Sequence, residues 1–344
     1  MTPADPQSPP APEFIRGLHN LRPWHRGSVA TIGSFDGVHL GHQAILRQVT
    51  TKARELGLPS VVMVFEPQPH EYFAGDQAPA RLMRLQEKAL ALFEAGIDRV
   101  LCLQFNPSLR SLSAQAFIDR VLIEGIGVKY LVVGDDFRFG CDRTGDYQLL
   151  QYAGEKGGFS VEDTKTFEFE GQRVSSTRVR KCLAANDLTG AGKLLGRSYR
   201  MSGRIGYGRQ LGRTIGVPTA NVILQRNKLP MTGVYAVKAI EIEVADCHES
   251  EVLDASGQPR AWQGVANIGV KPTVAGTPEP SLEVHIFDFP SLEEGGNIYG
   301  KRLSIEFCQK IREEKKFNGL DELKVAIGND MSVAREFFSS NSSK

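Results

Sequence analysis

Apolar positions between Ser28 and Gly134 follow two alternating rhythms. Short unbroken runs, SVATIG (Ser28–Gly33), SVVMVF (Ser60–Phe65), DRVLCLQF (Asp98–Phe105) and KYLVVG (Lys129–Gly134), have the length and β-branched content of buried strands. Between them the spacing becomes helical. From His39 to Leu56 the residues Ile45, Leu46, Val49, Ala53 and Leu56 keep one face apolar, and Gly57 and Pro59 stop the run. LMRLQEKALALFEAG ends on Gly96, and SAQAFIDRVLIEG opens on Ser113, a residue suited to capping a helix start. This alternation predicts an α/β domain, a Rossmann-like parallel sheet with helices on both faces and ligands at the carboxyl ends of the strands. The turns in TIGSFDG and VVGDDFRFG lie at such ends.

Beyond about Arg197 the helical rhythm gives way to a period of two. RMSGRI, VPTANVIL, GVYAVKAIEIEV, AWQGVANIG, LEVHIFDF and RLSIEF read as strands separated by turn residues, which predicts a small antiparallel β-barrel. The charged run IREEKKF (Ile311–Phe317) and the segment LDELKVAIGNDMSVAREFF are expected to close the chain as helix. The join is expected in ANDLTGAGKLLGRSY, where small residues and glycines collect. The expected organisation is a disordered proline-rich leader over 1–14, an α/β domain over 15–187 and a barrel domain with a C-terminal helix over 188–344.

A chain of 344 residues suits two domains, with 41% hydrophobic and 24% charged residues as in soluble globular proteins. A formal net charge of +1 supplies no global field for nucleic acid or anionic lipid, so phosphate chemistry has to come from local sites. No nucleic-acid or membrane partner is expected, and homo-oligomerisation is left open. The five cysteines are scattered without a C-x-x-C pair, which argues against a disulfide framework and suits a cytoplasmic protein.

The stretch GSFDGVHLGHQAIL crowds glycine and histidine where a strand turns into a helix. Gly33 lets the chain turn, while Gly37 and Gly41 clear space for a ligand beside the backbone. The helix start offers free N–H groups and a partial positive charge to an anion. His39 and His42, three apart, project from one face and can donate to phosphate oxygens. A zinc ion sharing these histidines with His70 or a carboxylate is the alternative. Asp36 reads as ordering the turn or contacting bound metal. GSFDGVHLGH resembles the H-x-G-H signature of the nucleotidylyltransferases, and VSSTRVR (Val174–Arg180) resembles their later S-T-x-x-R. With FEPQPHEYF, RLMRLQEK and GDDFRFGCDRTGD, the chain is similar to the bacterial bifunctional riboflavin kinase/FMN adenylyltransferase family, or FAD synthetases. That resemblance implies ATP contacts at Gly33, Phe35, Asp36, Gly41, Ser176 and Thr177, and catalytic roles for His39, His42 and Arg180. It also implies a flavin beside Asp136, Phe137 and Arg138. Phe139 reads equally well as a core plug.

The barrel half holds GYGRQLGRTIGVPTAN (Gly206–Asn221). It is not a P-loop, because arginine stands where lysine belongs and Gly216-Val217-Pro218 follows instead of a helix. It resembles the riboflavin kinase signature, which implies nucleotide contacts at Gly206, Gly212, Gly233 and Tyr235 and Mg²⁺ with ATP at Thr219 and Asn221. Tyr235 serves equally as ordinary core. In SLEVHIFDF, alternation sets Glu283, His285 and Phe287 on one face and Leu282, Val284 and Ile286 on the other. The family's catalytic glutamate matches Glu283. The implied reactions are phosphorylation of riboflavin to FMN and adenylylation of FMN to FAD with release of pyrophosphate. One working activity, a different phosphorylated acceptor, or a barrel that merely binds substrate are the alternatives.

Overall fold

The protein was analysed as a computed structural model that describes residues 11–341 apart from 135, 165, 208–216, 246–247, 255, 273–277 and 291–296. The chain divides into two units. One runs to Ala78 and adds Leu85–Ser175 and Ala245–His248, and the other comprises Pro79–Arg84, Ser176–Val244 and the chain from Glu249 onward.

The first unit contains β1 (Glu13–Arg16), β2 (Ser28–Ile32), α1 (Leu40–Leu56), β3 (Ser60–Glu66), α2 (Pro69–Ala74), α3 (Leu85–Glu94) and β4 (Arg99–Gln104). It continues with α4 (Pro107–Arg110), α5 (Ala114–Phe117), β5 (Val128–Gly134), α6 (Tyr147–Gly157), β6 (Ser160–Thr164) and the short hairpin β7 (Glu168–Phe169) and β8 (Gln172–Arg173). Six strands pair in the order β1-β4-β3-β2-β5-β6, and every pairing is parallel. From β2 the chain moves outward on one side to β3 and β4, whereas β5 and β6 lie on its other side. The topological switch point therefore falls between β2 and β5, where a doubly wound sheet opens a crevice at its carboxyl edge. All five residues of β2 are buried, as expected of a strand covered on both faces.

Local signals act as expected at several helix ends. Gly57 closes α1 in the left-handed region at φ 62°, and Ser113 caps α5 by accepting from the Ala116 N–H. A wider-wound π-helical stretch, Ile118–Ile123, continues α5. Two expectations change. Residues 1–10 of the leader lie outside the described residues, but Glu13 and Phe14 pair with Arg99 and Val100 at the sheet edge, so the leader does not extend to residue 14. The strand β6 joins the opposite edge without an apolar run to announce it, because an edge strand buries less of its surface.

The second unit contains α7 (Ser176–Ala184), α8 (Leu188–Leu195), β9 (Arg200–Gly206), β10 (Ala220–Ile223), β11 (Gly233–Ala245), β12 (His248–Glu251), β13 (Ala261–Pro272), β14 (Pro278–Ile286), β15 (Arg302–Arg312) and α9 (Leu320–Asn341). Antiparallel pairings run β11-β13-β14-β10-β9-β15, and β15 returns to β11, closing a six-stranded barrel without a free edge. On the outside, α9 packs Ala334 and Phe338 against Val234, Ala236, Val265 and Phe287. IREEKKF is not part of the closing helix: Ile311 and Arg312 finish β15, and α9 begins only at Leu320. Pairing with β11 and a buried ion pair hold that strand end. The Arg312 Nε and Nη2 donate to the two carboxylate oxygens of Asp330 in α9, each at 2.8 Å.

Asp330 is 4% exposed. Removing its carboxylate leaves the guanidinium without its bidentate partner, so Asp330→Ala should cost about 3 kcal/mol in urea unfolding. Asp330→Asn, which keeps the shape and one acceptor, should cost less.

Candidate active sites

The turn after β2 is wound so tightly that three residues take positive φ, Phe35 at 48°, Gly37 at 88° and Val38 at 42°. Glycine adopts this region freely, but phenylalanine and a β-branched valine are held there by their packing. Phe35 and Val38 are both buried, and Asp36 between them is enclosed in the turn. The nucleotide contact expected at Phe35 is thus an anchoring side chain in this structure, and Gly33 leaves room for its ring.

His39 is the N-cap of α1, its Nδ1 accepting from the His42 N–H at 3.3 Å. A neutral ring held this way carries its proton on Nε2. The rings of His39 and His42 stack with centroids 3.6 Å apart and planes at 15°, and Phe35 leans on His42 at 4.9 Å. Gly41 permits this approach, since a Cβ there would meet the His39 ring at 3.2 Å and the Val174 carbonyl at 3.4 Å. Burial, then His39, then the charge of Lys88 hold the pKa of His42 well below the ordinary imidazole value. Its Nδ1 is buried and has no hydrogen-bond partner among the described residues. Such an atom is costly to leave unpaired, and a phosphate at this position would offset that cost.

Lys88 belongs to no motif in the sequence, but helical spacing sets it beside Ala89 and Leu92 on the apolar face of α3. It is 1% exposed. A lysine on an apolar stripe is the signal that identifies it. Among the described residues no group of three or more His, Cys, Asp or Glu side chains comes together as a metal site.

After β5, Asp136 accepts from Arg173 at 2.9 Å, and that hydrogen bond holds its carboxyl below the usual range. Arg138 faces Asp146 at 3.3 Å, and both remain substantially exposed. Phe137 is half-buried and stacks on Phe139 with centroids 5.5 Å apart, while Phe139 continues into the core against Phe117. At the end of β3 a further aromatic shelf forms from Phe73, Tyr72 and Phe105, with Arg110 over the Phe73 ring at 5.3 Å. Phe73 is 63% exposed, unusual for so large an apolar ring. FEPQPHEYF enters the sequence reading only as part of the family resemblance, which assigns Phe73 no role.

The later motif belongs to the second unit. There α7 starts at Ser176, Thr177 is exposed, and the Arg180 Nε donates to the Ala80 carbonyl at 2.6 Å.

In the barrel, register assembles the remaining candidates. Asn221 lies opposite Gly206 on one side and Glu283 on the other, and Glu283 in turn lies opposite Asn267 of β13. Leu282 and Val284 are fully buried, so Glu283 projects outward as alternation predicts. Thr219, two residues before Asn221, is exposed, and the neighbouring Pro218 carbonyl lies 2.8 Å from the His285 Nδ1. Lys271 donates to Glu283 Oε1. Gly233 opens β11 opposite Ile268. Tyr235 sits in the core: its hydroxyl lies 2.8 Å from Asn186 Oδ1, and burial, then Glu313, push its pKa up to about 12. Gly212 lies outside the described residues.

The pH dependence of stability follows from His42. Its folded pKa is below the ordinary value of about 6.5, so below that pH the unfolded chain binds more protons than the folded one. Stability should fall as pH drops through this range, and His42→Asn should flatten the fall in urea unfolding across a pH series.

Family models described as FAD synthetase and riboflavin kinase match residues 21–178 and 195–338. The bifunctional riboflavin kinase/FMN adenylyltransferase of Pseudomonas fluorescens is 53% identical over 94% of this chain and 97% of its own length. The protein of that name from Escherichia coli K12 is 48% identical over 95% of this chain and 98% of its own. A solved structure described as a macrolide-efflux protein from Streptococcus pneumoniae is 30% identical, covering 94% of this chain and 98% of its own, with a TM-score of 0.73. Both halves of the sequence, the parallel sheet with its histidine turn and the barrel with its glutamate row, thus fall under one description: the chain belongs to the bifunctional riboflavin kinase/FMN adenylyltransferase family.

Proposed function

We propose that this chain makes FMN from riboflavin and ATP, and FAD from FMN and a second ATP. The barrel domain, residues 188–344, carries the kinase, and the α/β domain, from β1 to residue 187, carries the adenylyl transfer. The observation that carries the kinase reading is the direct cross-strand pairing of Asn221 with Glu283 on the outer face of β10 and β14. The substrates are small molecules and the compartment is the cytoplasm. Cys102, Cys141, Cys182 and Cys308 are free thiols, which suits a reducing compartment.

Riboflavin presents a hydroxyl that needs deprotonation, so a positioned carboxylate helps. Glu283 takes the proton of the 5′-hydroxyl while that oxygen bonds to the γ-phosphorus of ATP and the bond to ADP breaks. The residues read as metal donors, Thr219 and Asn221, offer a hydroxyl and an amide oxygen, and Asn221 lies directly opposite Glu283. Such neutral oxygens suit Mg²⁺ arriving with the nucleotide phosphates, and Thr219 and Asn221 would hold it. When bound, the ion would neutralise phosphate charge. Gly206, registered opposite Asn221, and Gly233 are the described glycines of the nucleotide contacts in this reading.

FMN presents a phosphate that is already an anion, so adenylyl transfer asks for donors rather than a base. An FMN phosphate oxygen bonds to the α-phosphorus of ATP, and the bond to pyrophosphate breaks. His39 donates from Nε2, the neutral His42 offers its buried nitrogen, and Ser176, Thr177 and Arg180 add further donors and charge. Gly41 and the turn at Asp36 hold the helix start open to the nucleotide. The flavin ring lies beside Asp136, Phe137 and Arg138, and the exposed Phe73 offers a second aromatic face.

Chromatography of riboflavin, FMN and FAD tests both halves in one experiment. Glu283→Ala should lower FMN formation by about 10²–10⁴-fold and leave FAD formation from supplied FMN intact. His42→Ala should lower FAD formation by about 10²–10³-fold while FMN accumulates. Parallel loss of both activities in either variant would count against the assignment.

A further inference from the structure

We propose that Lys271 is a catalytic residue of phosphoryl transfer: its ammonium, paired with Glu283 in this structure, moves its hydrogen bonds to the oxygens of the transferring phosphoryl group. The inference rests on the reading of Glu283 as the kinase base.

Three observations lead to it. First, Lys271 does not reach for the residue opposite it. Its cross-strand partner is Glu279, yet the ammonium runs along the outer face of β13 and donates to Glu283, which is registered opposite Asn267. Second, the pair is open to solvent, with the lysine side chain 47% and the glutamate 33% exposed. Exposed ion pairs contribute about 0–1 kcal/mol, so stability does not explain why it lies here. Third, the residues directly opposite Glu283 are neutral on both sides, Asn221 of β10 and Asn267 of β13, so the charge that meets its carboxylate is brought from further along β13 by Lys271.

Reaction geometry then brings the ammonium to the phosphate. A hydroxyl handing its proton to Glu283 sits about 3 Å from the carboxylate, and the phosphorus it attacks lies about 3–3.5 Å further on. An ammonium bonded to the same carboxylate therefore needs only a rotation of its four-carbon stem to meet a phosphoryl oxygen. Lysine is suited to such a move, being a compact charge with three donors that can be redirected.

The step balances without another reactant. The 5′-oxygen of riboflavin loses its proton to Glu283 and bonds to the γ-phosphorus. The bond from that phosphorus to the bridging oxygen breaks, and ADP leaves with the electron pair. Lys271 keeps its three protons throughout and forms no covalent bond.

The test compares kinetics of FMN formation by the full chain and by Lys271→Met and Lys271→Arg. Lys271→Met should lower kcat by about 10²-fold and raise KM for ATP several-fold. The inhibition constant of ADP, which lacks the γ-phosphate, and KM for riboflavin should stay within about twofold. Lys271→Arg should recover part of the lost kcat, and FAD formation from FMN should be unchanged in both variants. A kcat for Lys271→Met close to that of the parent would overturn the proposal. So would ADP inhibition weakening in parallel with ATP, because a lysine that only shapes the site would disturb both nucleotides. Glu283→Gln with undiminished FMN formation would remove the base reading instead, and the ATP-against-ADP contrast at Lys271 would still be read independently.

Discussion

In the barrel, the ladder between β10 and β14 does more than join two strands. It sets Asn221 against Glu283 and, by the same pleat, sends Leu282 and Val284 inward to be fully buried. A slip of one residue would exchange the two sets, placing a carboxylate in the barrel interior and leucine at the surface. Burying an unpaired carboxylate and exposing apolar core are both costly, so the hydrophobic pattern that stabilises the barrel also holds the reactive groups in register. Closure of the barrel through β11 and β15 extends that constraint to all six strands.

The parallel sheet solves a different problem. At its carboxyl edge, the groups proposed to meet phosphate come from a strained turn and a helix start. Phe35 and Val38 are apolar anchors that hold the turn in a conformation neither would choose alone. Their burial offsets local strain of about 1–3 kcal/mol per residue. The result is a stacked histidine pair in which His39 is buried and the Nδ1 of half-buried His42 has no hydrogen-bond partner among the described residues. Pre-organised dipoles of this kind serve a reaction in which charge shifts among phosphate oxygens and no proton needs to be taken.

On the proposed reading, the two halves divide phosphate chemistry by the nature of the attacking group. For an alcohol nucleophile, the barrel offers a carboxylate on the outer face of a strand with a cation paired to it. For a phosphate nucleophile, the α/β domain offers hydrogen-bond donors at a helix start. This division agrees with a chain whose net charge is only +1, since each site supplies its own local charges.

Much of this was legible in the one-dimensional pattern. Strand runs such as Ser60–Phe65, the α1 stop at Gly57 and the period of two around Glu283 depend on local spacing, and local spacing is written directly in a sequence. Residues such as Lys88, the edge strands β1 and β6, and the end of β15 at Arg312 were not. Lys88 matters because α3 brings it near His42, β1 and β6 form because a neighbouring strand offers free backbone groups, and Arg312 stays extended because β11 and Asp330 hold it. The pairing of Lys271 with Glu283 is of the same kind. The sequence determined which residues alternate, turn and cap, because those choices are made within a few bonds. The tertiary structure decided which charges meet, because electrostatic partners are chosen by distance through space.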